Sequence, residues 1–373
     1  MVKVNPIACV VGARPNYMKM SPLIRAFRER NIPSLLVHTG QHYDPEMNDR
    51  FFADLDLPRP HINLEVGSAS HAVQTAEIMR RFEPVLDAYE PSAVLVVGDV
   101  NSTIACSLVA AKKRIPVIHV EAGLRSFDRN MPEEINRVLT DQIADLLYTT
   151  ERTAHMNLAK EGVDDKRVHF VGNVMIDSLF AAQSSAVPPA VTLRQAGGNP
   201  DFIETPGGYG VVTLHRPSNV DDPDILRDLL ATLSMVAERL PLVFAAHPRT
   251  RKNIEKFGQE SLLHGRIQML PPQGYLEMLG LMSGAKLVLT DSGGMQEETT
   301  ALSVPCLTLR ENTERPITVE QGTNTLVGRN REMILSNVDQ ILATGGKRGR
   351  VPEYWDGRAA ERIAIHLQNW LNR

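Results

Sequence analysis

Cysteine is scarce in this 373-residue chain. There are three, Cys9, Cys106 and Cys306, far apart and never in a C-x-x-C pair. An odd, scattered set argues against a disulfide scaffold or a structural zinc site and fits a reducing compartment. Charge of one sign is also lacking. Forty basic and forty-four acidic side chains leave a formal net charge of -4, so no broad field recruits nucleic acid or an anionic membrane. No apolar run approaches the ~18 residues of a membrane span. The opening MVKVNPIACVVGARPN leads straight into an apolar strand, without the h-region or cleavage site of a signal peptide. Tandem repeats of roughly 20–50 residues are absent. Disordered, collagenous, coiled-coil, membrane and basic nucleic-acid-binding classes are excluded. The expectation is a cytoplasmic globular chain, and at ~150 residues per domain it has two.

What is present is alternation. Runs nearly continuous in Val, Ile and Leu fall at 7–11, 34–38, 93–97, 117–120, 146–149 and 168–171, with helical patterns such as 72–90 and 103–113 between them. Continuous apolar runs mark strands buried on both faces of a parallel sheet, and the βαβαβ order marks a doubly wound one. Residues 184–208, rich in Pro, Gly, Ser and Ala, read as a linker or surface excursion. The alternation then resumes at 209–214, 242–246, 266–270, 287–290, 306–309 and 325–327. The expected fold class is α/β, with two doubly wound, Rossmann-like domains facing across a cleft. The expected boundaries are 1–178 and 179–354. An amphipathic helix in 355–373 returns to the first domain and buries Ile363, Ile365 and Leu367. Ligands of open α/β sheets bind outside the carboxyl ends of the strands, so motifs at strand ends carry the functional reading.

The first strand is followed by Gly12-Ala13-Arg14-Pro15-Asn16-Tyr17-Met18-Lys19. It lacks G-x-G-x-x-G, so an ordinary dinucleotide site has little support. Arg14 and Lys19 at a helix start suit an anion. The run 93–97 ends at Gly98-Asp99, where Asp99 reads as either a helix cap or an acid–base group. The next ends in His119-Val120-Glu121-Ala122-Gly123, and a carboxylate there is costly to bury unpaired. Met131-Pro132-Glu133-Glu134 opens a helix, where Glu134 reads as a first-turn cap. Asp99, Glu121 and Glu133 lie on consecutive loops of one sheet edge, and convergence would raise their pKa values. In the second half, His215 and His247 end successive strands, with no metal-ligand spacing around them, so no metal is expected there. Thr290-Asp291-Ser292-Gly293-Gly294-Met295-Gln296-Glu297-Glu298 joins a strand to a helix through a hydroxyl and two glycines. That is a phosphate cradle, with Glu298 one turn further on for ribose hydroxyls. Arg310 or Arg315 completes the anion clamp.

Taken together, GARPNYMKMSPL, GQH, GDVNST, HVEAGLRS, PEEINR, LHRPSN, DSGGMQEE and NTERP, in this order, resemble the non-hydrolysing UDP-N-acetylglucosamine 2-epimerases. The resemblance implies a GT-B type fold and a homodimer. It also implies conversion of UDP-GlcNAc to UDP-ManNAc by elimination of UDP to 2-acetamidoglucal and re-addition, without cofactor or metal. It assigns Asp99, Glu121, Glu133 and His215 to catalysis. Arg14, Lys19, Gln273, Ser292, Gly293, Gly294, Glu298 and Arg315 go to the UDP-sugar, with Gln273 near the uracil. Some bacterial members hold an activating second UDP-GlcNAc. The resemblance puts Gln41, His42, Arg216 and His247 at that second site, whereas Asp44 stands where those members carry Gln. Asn16 stands where Glu is commoner. Alternative readings are epimerisation of UDP-GalNAc or a diacetamido-uronic acid, hydrolytic release of ManNAc, and a GT-B glycosyltransferase.

Overall fold

The computed structural model describes residues 5–40 and 52–372. Within them the chain forms two units, 1–181 with 353–373, and 182–352. The first holds a seven-stranded sheet: β1 (Ile7–Val11), β2 (Ser34–His38), β3 (Ile62–Asn63), β4 (Ala93–Val97), β5 (Val117–Ala122), β6 (Leu146–Thr149) and β7 (Val168–Phe170). Its order is β3-β2-β1-β4-β5-β6-β7. The second holds a six-stranded sheet: β8 (Gly210–Thr213), β9 (Leu242–Ala245), β10 (Ile267–Leu270), β11 (Leu287–Thr290), β12 (Cys306–Thr308) and β13 (Asn324–Leu326). Its order is β10-β9-β8-β11-β12-β13. Neighbouring strands pair in parallel in both sheets. Both units are doubly wound α/β structures, as the alternation of apolar runs and helical patterns predicts.

The central strands are apolar on both faces. In the second sheet Val212, Phe244 and Leu289 enter one core cluster, and their neighbours Val211, Val243 and Val288 enter the other. Side chains alternate across a strand, so an unbroken apolar run needs helices on both sides. Each fully buried Val, Leu or Phe contributes roughly 1.5–3 kcal/mol. In each sheet the order reverses once, between β1 and β4 and between β8 and β11. A doubly wound sheet opens for ligands at that reversal.

Two readings are corrected. Segment 184–208 is not a free linker: Pro189 opens a helix, Pro189–Gln195, whose fully buried Leu193 joins the core with Val211 and Leu281. One fully buried apolar side chain in about two turns carries no periodicity, so composition conceals the element. In the last helix, Ala359–Leu371, Ile363 and Leu367 are fully buried but Ile365 is 41% exposed. Positions i and i+4 share a helix face and i+2 does not. This helix packs on Arg14–Glu29 of the first unit. Asp177 caps it, accepting from the Ala359 and Ala360 amides at 3.1 and 2.7 Å. Buried Trp355 donates to the Thr150 carbonyl at 3.1 Å. No helix of the described residues is long and apolar enough to cross a membrane.

Candidate active site

In the first unit the polar groups gather where β1, β4 and β5 end. Asn16, in the first turn of helix Arg14–Glu29, accepts the Gly12 and Ala13 amides at 3.1 Å each and donates to the Val97 carbonyl at 3.0 Å. It thereby stitches the ends of β1 and β4 together. One turn on, buried Lys19 forms an ion pair with buried Glu121. Glu121 sits at φ +73°, on a register shift between Val120 and Ala122 where β5 pairs with β6. This left-handed conformation costs a non-glycine residue roughly 1–3 kcal/mol and collects at functional positions. Gly98, at φ +68°, completes the arrangement: a Cβ there would lie 3.1 Å from both the Glu121 carboxylate and the Lys19 ammonium.

Asp99 is not a cap. The N-cap of helix Asn101–Lys112 is Val100, and the half-buried Asp99 carboxylate pairs with Arg137. Arg137 is buried and donates to Glu134 at 2.7 and 2.9 Å. Glu134 also accepts the Ser126 and Phe127 amides at 3.0 and 2.8 Å. Burial opposes its ionisation, yet the Ser126 amide and Arg137 bring its pKa below the ordinary range. It therefore ties loop 126–127 to the helix through its side chain instead of capping its own first turn. Glu133, half-exposed on the first turn of Pro132–Ile143, makes no hydrogen bond or ion pair among the described residues. The expected cluster of three like charges is thus interleaved with cations, Lys19 at Glu121 and Arg137 at Asp99. The Arg14 side chain, Gln41 and His42 lie outside the described residues.

The second unit builds its cluster where β8 and β11 end. Asp291, fully buried, accepts the His215 and Arg216 amides at 3.1 and 2.9 Å and the Asn219 side chain at 3.1 Å. It also meets His215 Nδ1 at 2.9 Å. Burial would raise Asp291, but these bonds, His215 foremost, lower its pKa below the usual carboxylate range. The carboxylate fixes the imidazole through Nδ1, so Nε2 is the nitrogen left for a reacting group. The His247 ring lies 5.9 Å from that of His215, and its Nδ1 accepts the Arg249 amide at 3.3 Å. Arg216 reaches Glu314 at 3.6 Å.

Ser292 heads helix Gly293–Ala301 without a side-chain cap bond, so its hydroxyl and the first-turn amides remain for a ligand. A Cβ at Gly293 would fall 2.6 Å from Glu314 Oε1, so any larger residue would push this ion-paired carboxylate aside. Glu314 sits beside Arg310 at 2.7 Å. Burial opposes its ionisation, but Arg315 and Arg310 hold it far below the normal range. Arg315 reaches Glu297 at 2.9 Å. Glu298 is buried and its Oε1 has no hydrogen-bond partner among the described residues. Burial pushes its pKa up to about 8, aided by Glu297 and opposed by the Tyr275 hydroxyl. Gln273 is half-exposed and donates to the Pro271 carbonyl at 2.7 Å. An uncapped helix start beside buried arginines and an unsatisfied carboxyl suits a ligand with phosphates and hydroxyls.

Three groups in these clusters were not singled out by sequence patterns. Asp291 heads the Ser-Gly-Gly turn and Arg137 lies one helical turn from Glu134, so position offered a signal for both. Asp141, which holds His119, offered none.

Two doubly wound units, each with a polar cluster at its switch point, define a two-domain α/β protein suited to a nucleotide ligand. The sequence model of the UDP-N-acetylglucosamine 2-epimerase family matches residues 25–368. The chain is 42% identical over 361 residues to the UDP-N-acetylglucosamine 2-epimerase of Methanocaldococcus jannaschii, covering 96% of this chain and 97% of that protein. It is 40% identical over 367 residues to the UDP-2,3-diacetamido-2,3-dideoxy-D-glucuronate 2-epimerase of Pseudomonas aeruginosa, covering 97% and 99%. The crystal structure of the M. jannaschii UDP-GlcNAc 2-epimerase in complex with UDP-GlcNAc and UDP matches with a TM-score of 0.86 at 40% identity, over 98% of this chain and 99% of that one. This chain belongs to the UDP-N-acetylglucosamine 2-epimerase family and is an isomerase.

Proposed function

We propose that the protein interconverts UDP-GlcNAc and UDP-ManNAc by eliminating UDP across C1–C2 and adding it back. The observation that carries the reading is Glu121, a buried carboxylate on a strained bulge, paired with Lys19 at the switch point of the first sheet. In the forward step a carboxylate takes the C2 proton, the C–H pair becomes the C1=C2 bond, and the C1–O pair leaves with the diphosphate. Return of UDP to C1, with a proton delivered to the opposite face of C2, completes the inversion. Glu121 and Asp99 are the groups we assign to the proton, with Glu133 as the third acid. Coupled acids titrate as a set, so no face is assigned to one alone. His215, held by Asp291, acts beside the leaving diphosphate. The Ser292–Gly294 turn and Arg315, with Arg14, take the phosphates, Glu298 the ribose hydroxyls, and Gln273 the uracil edge. Arg216 and His247 are the described members of the second-site set.

One assay tests this. UDP-GlcNAc is incubated with the protein in D2O and C2 is followed by NMR. UDP-ManNAc carrying deuterium at C2 is expected. Free ManNAc plus UDP would instead make the protein hydrolytic. The 40% identity to the diacetamido-glucuronate epimerase favours one second reading, the same inversion on that uronic acid. Turnover of it with none of UDP-GlcNAc would keep the chemistry and change the substrate. A cytoplasmic setting is supported by three free, buried cysteines. A homodimer is supported by exposed Val73, Ile135 and Leu139, on two helices that line one groove in the first unit. A sedimentation mass of one chain would remove it.

A further inference from the structure

Glu121 needs something to hold it. Its ion pair with Lys19 fixes the carboxylate but not the backbone, and the left-handed turn lies at the end of a strand whose own preference is extended. The residues on either side provide the restraint. Two positions before Glu121, fully buried His119 sets Nδ1 at 2.6 Å from Asp141 Oδ1 and Nε2 at 2.8 Å from the Gly98 carbonyl. Each ring nitrogen thus faces an oxygen. Two positions after Glu121, the Gly123 amide donates to Asp141 Oδ2 at 3.0 Å. One carboxylate therefore grips the bulge on both sides. Asp141 is itself fully buried and stands on helix Pro132–Ile143, outside the sheet. Buried Arg125 reaches Asp141 Oδ2 at 2.7 Å through Nη2, and the same Nη2 together with Nε donates to Glu161 at 2.6 and 2.8 Å. The Gly98 amide in turn donates to the Val120 carbonyl at 3.1 Å. His119 and Val120 thus also set the loop that presents Asp99.

We infer that Asp141, acting through His119 and Gly123, is a positioning residue that clamps the β5 bulge and so aims Glu121 and Asp99 at the sugar. It touches no reacting atom. Its catalytic consequence rests on the proposed epimerisation; its structural consequence does not. One oxygen of Asp141 meets His119 and the other takes both the Gly123 amide and Arg125. Alanine at this position removes both acceptors and leaves the Gly123 amide and His119 Nδ1 without them.

The test is Asp141→Ala in the full chain, with two readouts. In the first, kcat for UDP-GlcNAc falls about 100-fold, the scale of an ångström's misplacement of a catalytic group, while KM and UDP affinity stay within about threefold. A fold defect alone would lower the active fraction and the melting temperature together, without splitting kcat per folded molecule from KM. In the second, a crystal structure of the variant shows residue 121 out of the left-handed region. His119→Asn is the second variant, should the first not fold. It leaves Asp141 on Gly123 and Arg125 but cuts the tie to Gly98, and about a tenfold loss in kcat is expected. The inference is overturned if a folded variant keeps kcat within threefold of wild type, if KM rises as much as kcat falls, or if residue 121 keeps its positive φ. If the wild-type protein turns over no UDP-sugar, the functional reading fails, and the crystal structure of the variant still decides whether Asp141 is the clamp.

Discussion

At the scale of single residues, chemistry and grip are separable. Glu121→Gln keeps shape and removes proton transfer. It is expected to lower kcat at least ~1000-fold with UDP affinity within a few-fold, checked by steady-state kinetics beside UDP calorimetry. Asp291→Asn keeps a hydrogen-bond acceptor but loses the charge opposite His215. We expect kcat to fall on the order of 100-fold or more, as when the orienting acid of a histidine is neutralised. Glu298 gives a pH signature. Its pKa in the folded chain is pushed up to about 8 by burial, above the ordinary glutamate value. The native state therefore holds a proton that the unfolded chain releases. This contribution is whole below about pH 4.5 and is lost as pH rises towards 8. Without nucleotide, unfolding free energy should decline by roughly 5 kcal/mol across that window. Glu298→Gln should flatten the slope in denaturant melts at pH 5 and 8. Much of this scale was legible, because Asp99, Glu121 and His215 stand at or just past strand ends and Glu298 lies one turn into the helix that follows β11. Their partners were less so. Asp141 lies 22 positions from His119, and no local spacing announces a contact made by packing a helix on a sheet.

At the scale of elements, helix Ala359–Leu371 depends on its cap. Asp177→Ala removes the acceptor for two amides and should destabilise the first unit by about 1 kcal/mol, seen as a lower melting temperature. Asp177→Asn, which keeps an acceptor, should lose less. Burial raises Asp177 to about 6 despite those amides, so both variants should also reduce the decline in stability between roughly pH 4 and 6. Strands are where the sequence was read best. The apolar runs 7–11, 34–38, 93–97 and 287–290 coincide with β1, β2, β4 and β11, since a strand buried on both faces has no polar position to blur its limits. β3 escaped because two residues, Ile62 and Asn63, make no run. Helix Pro189–Gln195 escaped because its burial rests on Leu193.

At the scale of the molecule, a ligand that binds the native state alone raises its unfolding free energy by about 2.7 kcal/mol at one hundred times its Kd, and the proposed function predicts that UDP does so. Thermal melts with and without UDP test this, and Glu298→Gln should reduce the gain at a given UDP concentration. The partition of the chain, 1–181 with 353–373 against 182–352, bears on its birth as well as its chemistry. The second unit is one uninterrupted stretch, complete in sequence before the last helix has been made. The first must wait, with the Asp177 cap and the groove for Ile363 and Leu367 open, until translation ends. A chain released with its end near residue 352 would therefore carry a finished second unit and a first unit with an apolar scar, a natural handle for chaperones.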